Sequence, residues 1–336
     1  MTTRNTTGPN GDRQNGVTAY PFNIVSGGRR NTAFVYLSDE VRSRPNLTVV
    51  GLAEVDAVEF SGTTATAVRT VDGTIHEGGE IILSAGAYGS AAILMRSGIG
   101  VPGDLERHGI KVLADRPVGL RFQDHPFYYS VHALRPDAAR MTPAAGAILW
   151  TASSRAHADE LDLHISVSHL IDGAVSPTGS AVVLATGMVR PESMGSVKLR
   201  SASPKAAPLI DYNFLATPRD RSRTVEGVKL SRRIAREDAF AAVTAGELLP
   251  GEHIRSDADL DRAVRENLNT YQHPTSTAPM GDANDQRAVV DGFGSVHGIN
   301  GLRVIDASIF PEVPSTATNL TTVMVAEHIF RQALSR

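Results

Sequence analysis

The run Glu80-Ile81-Ile82-Leu83-Ser84-Ala85-Gly86 is the strongest constraint on the fold of this chain. Its apolar residues do not alternate with polar ones, so it predicts a strand covered on both faces, the kind found in parallel sheets flanked by helices. The strand stops at a glycine and Ser90 to Ser97 then reads as a helix, which is the element order of an α/β domain. Open sheets of this class place ligands beyond the carboxyl ends of their strands, so Ala85 and Gly86, small enough for close approach, are candidate cofactor contacts.

Around this strand the pattern changes. Tyr20 to Val25 predicts a short strand, and Phe34 to Leu37 a helix ending near Arg44-Pro45-Asn46. Alternating runs at Leu47 to Val50, Val55 to Phe60 and Ala65 to Val71, broken by Gly51, Ser61-Gly62 and Asp72-Gly73, predict an antiparallel meander. Further on, Ser180 to Val189 and Gly195 to Leu199 read as sheet strands, while Thr224 to Arg236 places Val225, Val228, Leu230, Ile234 and Ala235 near one helical face. The fold class is therefore α/β with an α+β insertion between two parts of one domain.

Composition narrows the chemistry. The 336 residues carry a formal net charge of −3 and no cysteine, which removes thiolate nucleophiles, disulfides and cysteine metal sites and leaves no basic footprint for nucleic acid or anionic membrane. Residues 1–17 are polar and read as a disordered tail, without the apolar core of a secretory signal, and no segment reaches the length of a membrane span. The expected location is cytoplasmic. His164, His169, His253 and His297 show no metal-ligand spacing, so no metal is expected. Gly98-Ile99-Gly100-Val101-Pro102-Gly103 fits Gly-x-Gly-x-x-Gly formally, yet it follows a helix rather than a strand and is rejected as a phosphate loop. Gln123-Asp124-His125 is read as loop structure, because adjacent residues of an extended segment point to opposite sides.

Several segments then agree with one family. Val25-Ser26-Gly27-Gly28-Arg29-Arg30-Asn31-Thr32-Ala33, Arg44-Pro45-Asn46-Leu47, Ile82-Leu83-Ser84-Ala85-Gly86-Ala87-Tyr88-Gly89-Ser90, Gln123-Asp124-His125-Pro126, Tyr271-Gln272-His273-Pro274-Thr275-Ser276-Thr277 and Leu302-Arg303-Val304-Ile305-Asp306-Ala307-Ser308 occur in the order seen in glucose-methanol-choline (GMC) flavoprotein oxidoreductases. The resemblance runs from about Tyr20 to the end. It implies an incomplete Rossmann-like FAD-binding domain from residues 18–122 and 271–336, and a GMC-type substrate domain with an antiparallel sheet from residues 123–270. The family's N-terminal Gly-rich unit for the ADP half of FAD has no counterpart here, so the resemblance implies a separately encoded partner chain carrying it.

Roles follow by resemblance. His273 matches the family's catalytic histidine, the base that takes the hydroxyl proton as a CH–OH carbon gives hydride to flavin N5. The second catalytic position, His or Asn in the family, falls on Ala317, and Asn319 is the nearest substitute. Ser276 stands where the family has glycine. Val55 resembles the residue whose backbone meets the adenine, and Asp306 with Ala307 those meeting the ribityl and pyrophosphate region. Asn319, Leu320 and Thr321 open the last helix, whose N-terminal amides would face the flavin. The expected function is a subunit of a split FAD-dependent alcohol oxidoreductase acting on a small-molecule alcohol. Alternatives are a noncatalytic remnant or binding subunit, and a flavin-containing lyase of the same fold.

Overall fold

The computed structural model describes residues 15–138, 142, 144–158 and 160–334. The strand expected at 80–86 forms over Ile81–Leu83 and pairs in parallel with Leu302–Val304, Ile81 opposite Leu302 and Leu83 opposite Val304. The helix Gly86–Arg96 leaves the first of these strands and buries Ala87, Ala91, Ala92, Ile93, Leu94 and Met95. Beside it lies the meander, made of Val55–Ser61, Thr64–Thr70 and Ile75–Glu77. Its third strand is 75–77 rather than the run at 47–50, which has no strand, because Asp72-Gly73 turns the chain directly back. One large core joins these pieces to the C-terminal third, with Leu83, Leu94, Leu302, Val304, Ile309 and Ile329 in one cluster.

The expectation of a strand covered on both faces is corrected. Ile81 and Leu83 are buried, whereas Ile82 between them is 51% exposed. One face of this parallel pair thus lies open. The terminal helix Thr318–Leu334 also shows large apolar side chains to solvent, with Leu320 at 76% and Met324 and Phe330 close behind.

The insertion is a seven-stranded antiparallel sheet in the order Gly16–Ala19, Ala145–Thr151, Leu163–Ser168, Ala181–Met188, Pro126–Leu134, Thr244–Leu249, with Asn269–Thr270 pairing to the start of Pro126–Leu134. Its first strand overturns two boundaries. Of the strand expected over Tyr20 to Val25 only Ile24–Val25 forms, pairing with Gly28–Arg29, while Gly16 and Val17, assigned to the tail, pair with Trp150 and Leu149. The segment also serves the substrate sheet and not the FAD-binding part. The rest of the expected tail, residues 1–14, lies outside the described residues.

Alternation along Pro126–Leu134 gives the sheet two unlike faces. Phe127 and Val131 pack with Ala181, Val183, Ala185 and Tyr271 on one side, and Tyr128 packs with Val228, Leu260 and Val264 on the other. That second side is covered by the helix Pro218–Ala235, which comes so close that a Cβ on Gly227 would stand 2.6 Å from Thr186 Cγ2. A buried ion cluster pins this helix in place. Arg223, 1% exposed, donates from Nη1 to Asp162 Oδ2 at 3.3 Å and from Nη2 to Asp220 Oδ1 at 2.5 Å, and both carboxylates are fully buried. Asp162 in turn accepts from the backbone and hydroxyl of Ser153, and Asp220 from those of Ser193. Removing only the cation strands two carboxylates away from water. Arg223→Met should cost roughly 3–5 kcal/mol, read as a lowered midpoint in urea unfolding; a midpoint unchanged from wild type would show that the cluster does not hold the helix to the sheet.

Candidate active site

Two segments far apart in sequence build the site by running antiparallel to each other. Tyr271 N donates to His125 O at 3.0 Å, and Gln123 and Thr275 exchange backbone bonds at 2.9 and 3.3 Å. This continues the pairing of Pro126 with Thr270. Asp124, buried between the two segments, accepts at Oδ1 from His125 N at 2.6 Å and from His273 N at 2.9 Å, while its Oδ2 accepts from the Thr270 hydroxyl. The result brings two imidazoles together: His125 Nδ1 and His273 Nδ1 are 2.9 Å apart.

Sequence reasoning missed this hub. Gln123 and His125 do point away from Asp124, but the second segment reaches Asp124 and His125 while other loops engage Gln123, so all three polar side chains have partners. Gln123 Nε2 donates to Pro191 O at 3.1 Å, and its Oε1 accepts from Val313 N at 3.0 Å, which ties down the loop before the terminal helix. The signal available in the sequence was three consecutive polar residues at the start of an apolar strand, a pattern a surface loop does not require.

Burial keeps these rings neutral. It pushes His273 down to about 4 and His164 down to about 3, and it lowers His125 well below the usual imidazole range with His273 as the next cause. Two neutral rings meeting through Nδ1 need one donor and one acceptor. With the proton on His273 Nδ1, its Nε2 is left as the free basic nitrogen. His125 then carries its proton on Nε2, which makes no hydrogen bond of good geometry, though the Pro314 backbone is near enough to raise that ring's affinity for a proton against burial.

An aromatic wall adjoins the pair. Tyr271 stacks on Phe127 with centroids 3.9 Å apart and planes 5° from parallel, and it sits 4.3 Å from the His273 ring. Its hydroxyl lies 3.3 Å from that of Tyr20, and burial raises its proton affinity, so it stays protonated. Trp150 and Tyr129 extend the wall through His164 and Phe127.

The other candidate residues divide into two groups. Ala85, Gly86, Asp306 and Ala307 come together at the carboxyl ends of the parallel strands, and the chain from Ser276 to Met280 runs along them, with Ser276 N donating to Ala307 O at 3.3 Å and Ala278 N to Ser308 O at 2.9 Å. Asp306 accepts from Gly86 N at 2.9 Å, Ser90 Oγ at 2.5 Å and both the amide and hydroxyl of Ser308, so its carboxylate is committed internally and only main chain is left for a ligand. Gly86 has φ +76 and nothing within 4 Å of where a Cβ would stand, with Ser84 and Ala85 exposed beside it. This open, small-residue edge fits a large flat cofactor such as FAD. Val55 lies by the other end of the helix Gly86–Arg96, its carbonyl within 3.5 Å of Arg96 Nη2, roughly 15 Å away along the helix. Asn319 and Leu320 are exposed and Thr321 half-buried in the first turn of the terminal helix, and Ala317 is exposed just before it. Ser276 adopts φ +69, the left-handed conformation that its family counterpart glycine takes without strain.

Comparison with known proteins places the fold in a family. Family models described as GMC oxidoreductase match residues 2–127 and 191–326. The N-terminal model matches residues 2–127, so the expectation of a missing N-terminal unit finds no support in these matches. An oxygen-dependent choline dehydrogenase of Paraburkholderia phymatum is 35% identical over 95% of this chain and 61% of its own length. The crystal structure of pyridoxine 4-oxidase from Mesorbium loti superposes with a TM-score of 0.90 at 30% identity, over 99% of this chain and 67% of that one. A formate oxidase of Aspergillus oryzae RIB40, studied for its FAD modification, gives a TM-score of 0.76 at 25% identity, over 86% and 61%. The chain spans about three fifths of the length of the curated relatives it matches, 61%, 62% and 58% in three of them. The family and these structural neighbours are FAD-dependent. On its fold, its ordered motifs and these matches, the chain belongs to the GMC oxidoreductase family.

Proposed function

We propose that this chain is part of an FAD-dependent oxidoreductase acting on the CH–OH group of a small alcohol, with His273 as general base. The observation that carries this reading is the His125–His273 contact through Nδ1: with the shared proton assigned to His273 Nδ1, its Nε2 is the nitrogen left to act as base. FAD, when bound, supplies the hydride acceptor. The chain's own residues do the rest: Asp124 fixes the His273 backbone, His125 fixes the tautomer, and His273 Nε2 takes the hydroxyl proton as the carbon is oxidised. The aromatic wall of Tyr271, Phe127, Tyr129 and Trp150 supports an alcohol whose body is flat or cationic. Cofactor contacts are assigned to the main chain of Ala85, Gly86, Asp306 and Ala307, to Val55, and to the first-turn amides at Asn319, Leu320 and Thr321. Asn319 also serves as the second polar group at the reaction centre in place of Ala317.

The Gly-rich ADP-binding role is assigned to protein outside the residues described above. Support comes from the exposed apolar residues Ile82, Leu320, Met324 and Phe330, a surface suited to covering by further protein. Ala317 favours a second reading, a noncatalytic binding subunit, since a methyl group can neither accept nor donate a proton.

Three outcomes test these statements. His273→Ala should lower kcat/KM by roughly 10²–10⁴-fold with flavin content unchanged; equal turnover would remove His273 from the mechanism and leave the binding-subunit reading. This chain alone should bind FAD weakly in a flavin titration, whereas a preparation of this chain alone already saturated with FAD contradicts the need for further protein at the ADP half. Stability should also follow pH. The folded-state values of His273 and His164 lie below the imidazole value of about 6.5, so the unfolded chain binds more protons at acid pH and the folded state is favoured above that value. Stability should fall as pH drops from about 6.5 toward the folded-state values of about 4 and about 3. Thermal melts that rise on acidification over this window would contradict neutral buried rings.

A further inference from the structure

The helix-covered side of the large sheet holds a second polar cavity, on the opposite face of Pro126–Leu134 from the aromatic wall. His132 lies on the same side of that strand as Tyr128, at the far end from His125. The neighbouring strand Thr244–Leu249 slips in register twice, beside Val131/His132 and beside Ala133/Leu134. Such bulges bend an edge strand away and redirect side chains. Here they open a cavity of about 760 Å³ between that strand and the end of the helix Pro218–Ala235.

The charges in this cavity are not balanced internally. Arg232 is fully engaged, donating to Glu247 from Nε at 2.9 Å and Nη2 at 2.7 Å and to the carbonyls of Gly251 and Ile254. Glu247 is thereby neutralised. Arg236 and Arg255 line the same cavity, are exposed, and have no carboxylate partner among the described residues. Glu252 borders it as well, its Oε1 3.5 Å from Glu247 N. His132 forms the floor: it is 5% exposed, it packs edge-on against Phe240 at 5.6 Å, and its Nε2 has no hydrogen-bond partner. A buried polar atom without a partner costs free energy that a ligand's acceptor oxygen would recover. The volume exceeds what an inorganic ion fills and falls within the range of small-molecule sites.

We propose that this cavity binds a small organic oxyanion, a phosphate ester or a carboxylate, through the guanidinium groups of Arg236 and Arg255 with His132 Nε2–H as a neutral donor beneath them. The site goes beyond the alcohol oxidation proposed above and does not depend on it. Planar guanidinium groups suit either oxyanion by paired N–H donors, and the neutral imidazole adds direction without a second buried charge.

The test uses the full chain with pyrophosphate and with citrate as probes, each against sodium chloride at matched ionic strength. Either probe should raise Tm by several degrees, a response to pyrophosphate alone marking phosphate chemistry and one to citrate alone marking carboxylate chemistry. In 15N-labelled protein the His132 Nε2 resonance should move in step with the titration. The exposed double variant Arg236→Gln, Arg255→Gln should keep the ligand-free Tm and weaken binding by at least about tenfold. No Tm response to either probe beyond the chloride control overturns the proposal. A response that the double variant retains in full, or one that leaves the His132 resonance in place, overturns it equally.

Discussion

The whole site depends on one carboxylate placed between two chains. Asp124 accepts hydrogen bonds from the backbone of His125 on its own segment and from the backbone of His273 and the side chain of Thr270 on the other. Burial raises its proton affinity and these three donors oppose that, and the same contacts set the spacing of the two imidazoles. Everything beyond the pair follows from this clamp: the free nitrogen of His273, the stacking of Tyr271 on Phe127, and the course of the chain from Ser276 toward Asp306.

The parts of the fold that depend on local pattern were legible in the sequence. The apolar run at 80–86, the strand at 180–189 and the helix containing 224–236 appear where hydrophobic period and turn residues put them. Two kinds of feature were not legible. Gly16–Ala19 is short and half polar, and its identity as a strand comes from pairing with residues some 130 positions later, which no local window contains. Likewise the pairing of 123–127 with 269–275 gives Asp124 and His125 their meaning only after folding, and the alternation rule, applied to one strand alone, misjudged them.

The motif reading of His273 drew on the ordered residues around it, and the geometry adds what a motif cannot hold, namely which nitrogen is engaged. Ser276 carries a related lesson. Standing where the family has glycine, the residue takes the left-handed backbone at φ +69 while its hydroxyl donates to Thr275 Oγ1 at 3.0 Å. A small polar side chain tolerates that conformation at a cost of roughly 1 kcal/mol.

Asp306 joins residues 220 and 216 positions apart, at Gly86 and Ser90, while capping its own turn at Ser308. Because it binds the start of a helix from the first third of the chain, the two distant portions of the α/β part behave as one lever. Any displacement of the terminal strand is passed straight to the helix Gly86–Arg96, and through Thr277 Oγ1 on Ala87 O at 2.6 Å it reaches the histidine segment as well. The cofactor edge and the base therefore share a single mechanical frame, so a variant that loosens either one should disturb both together.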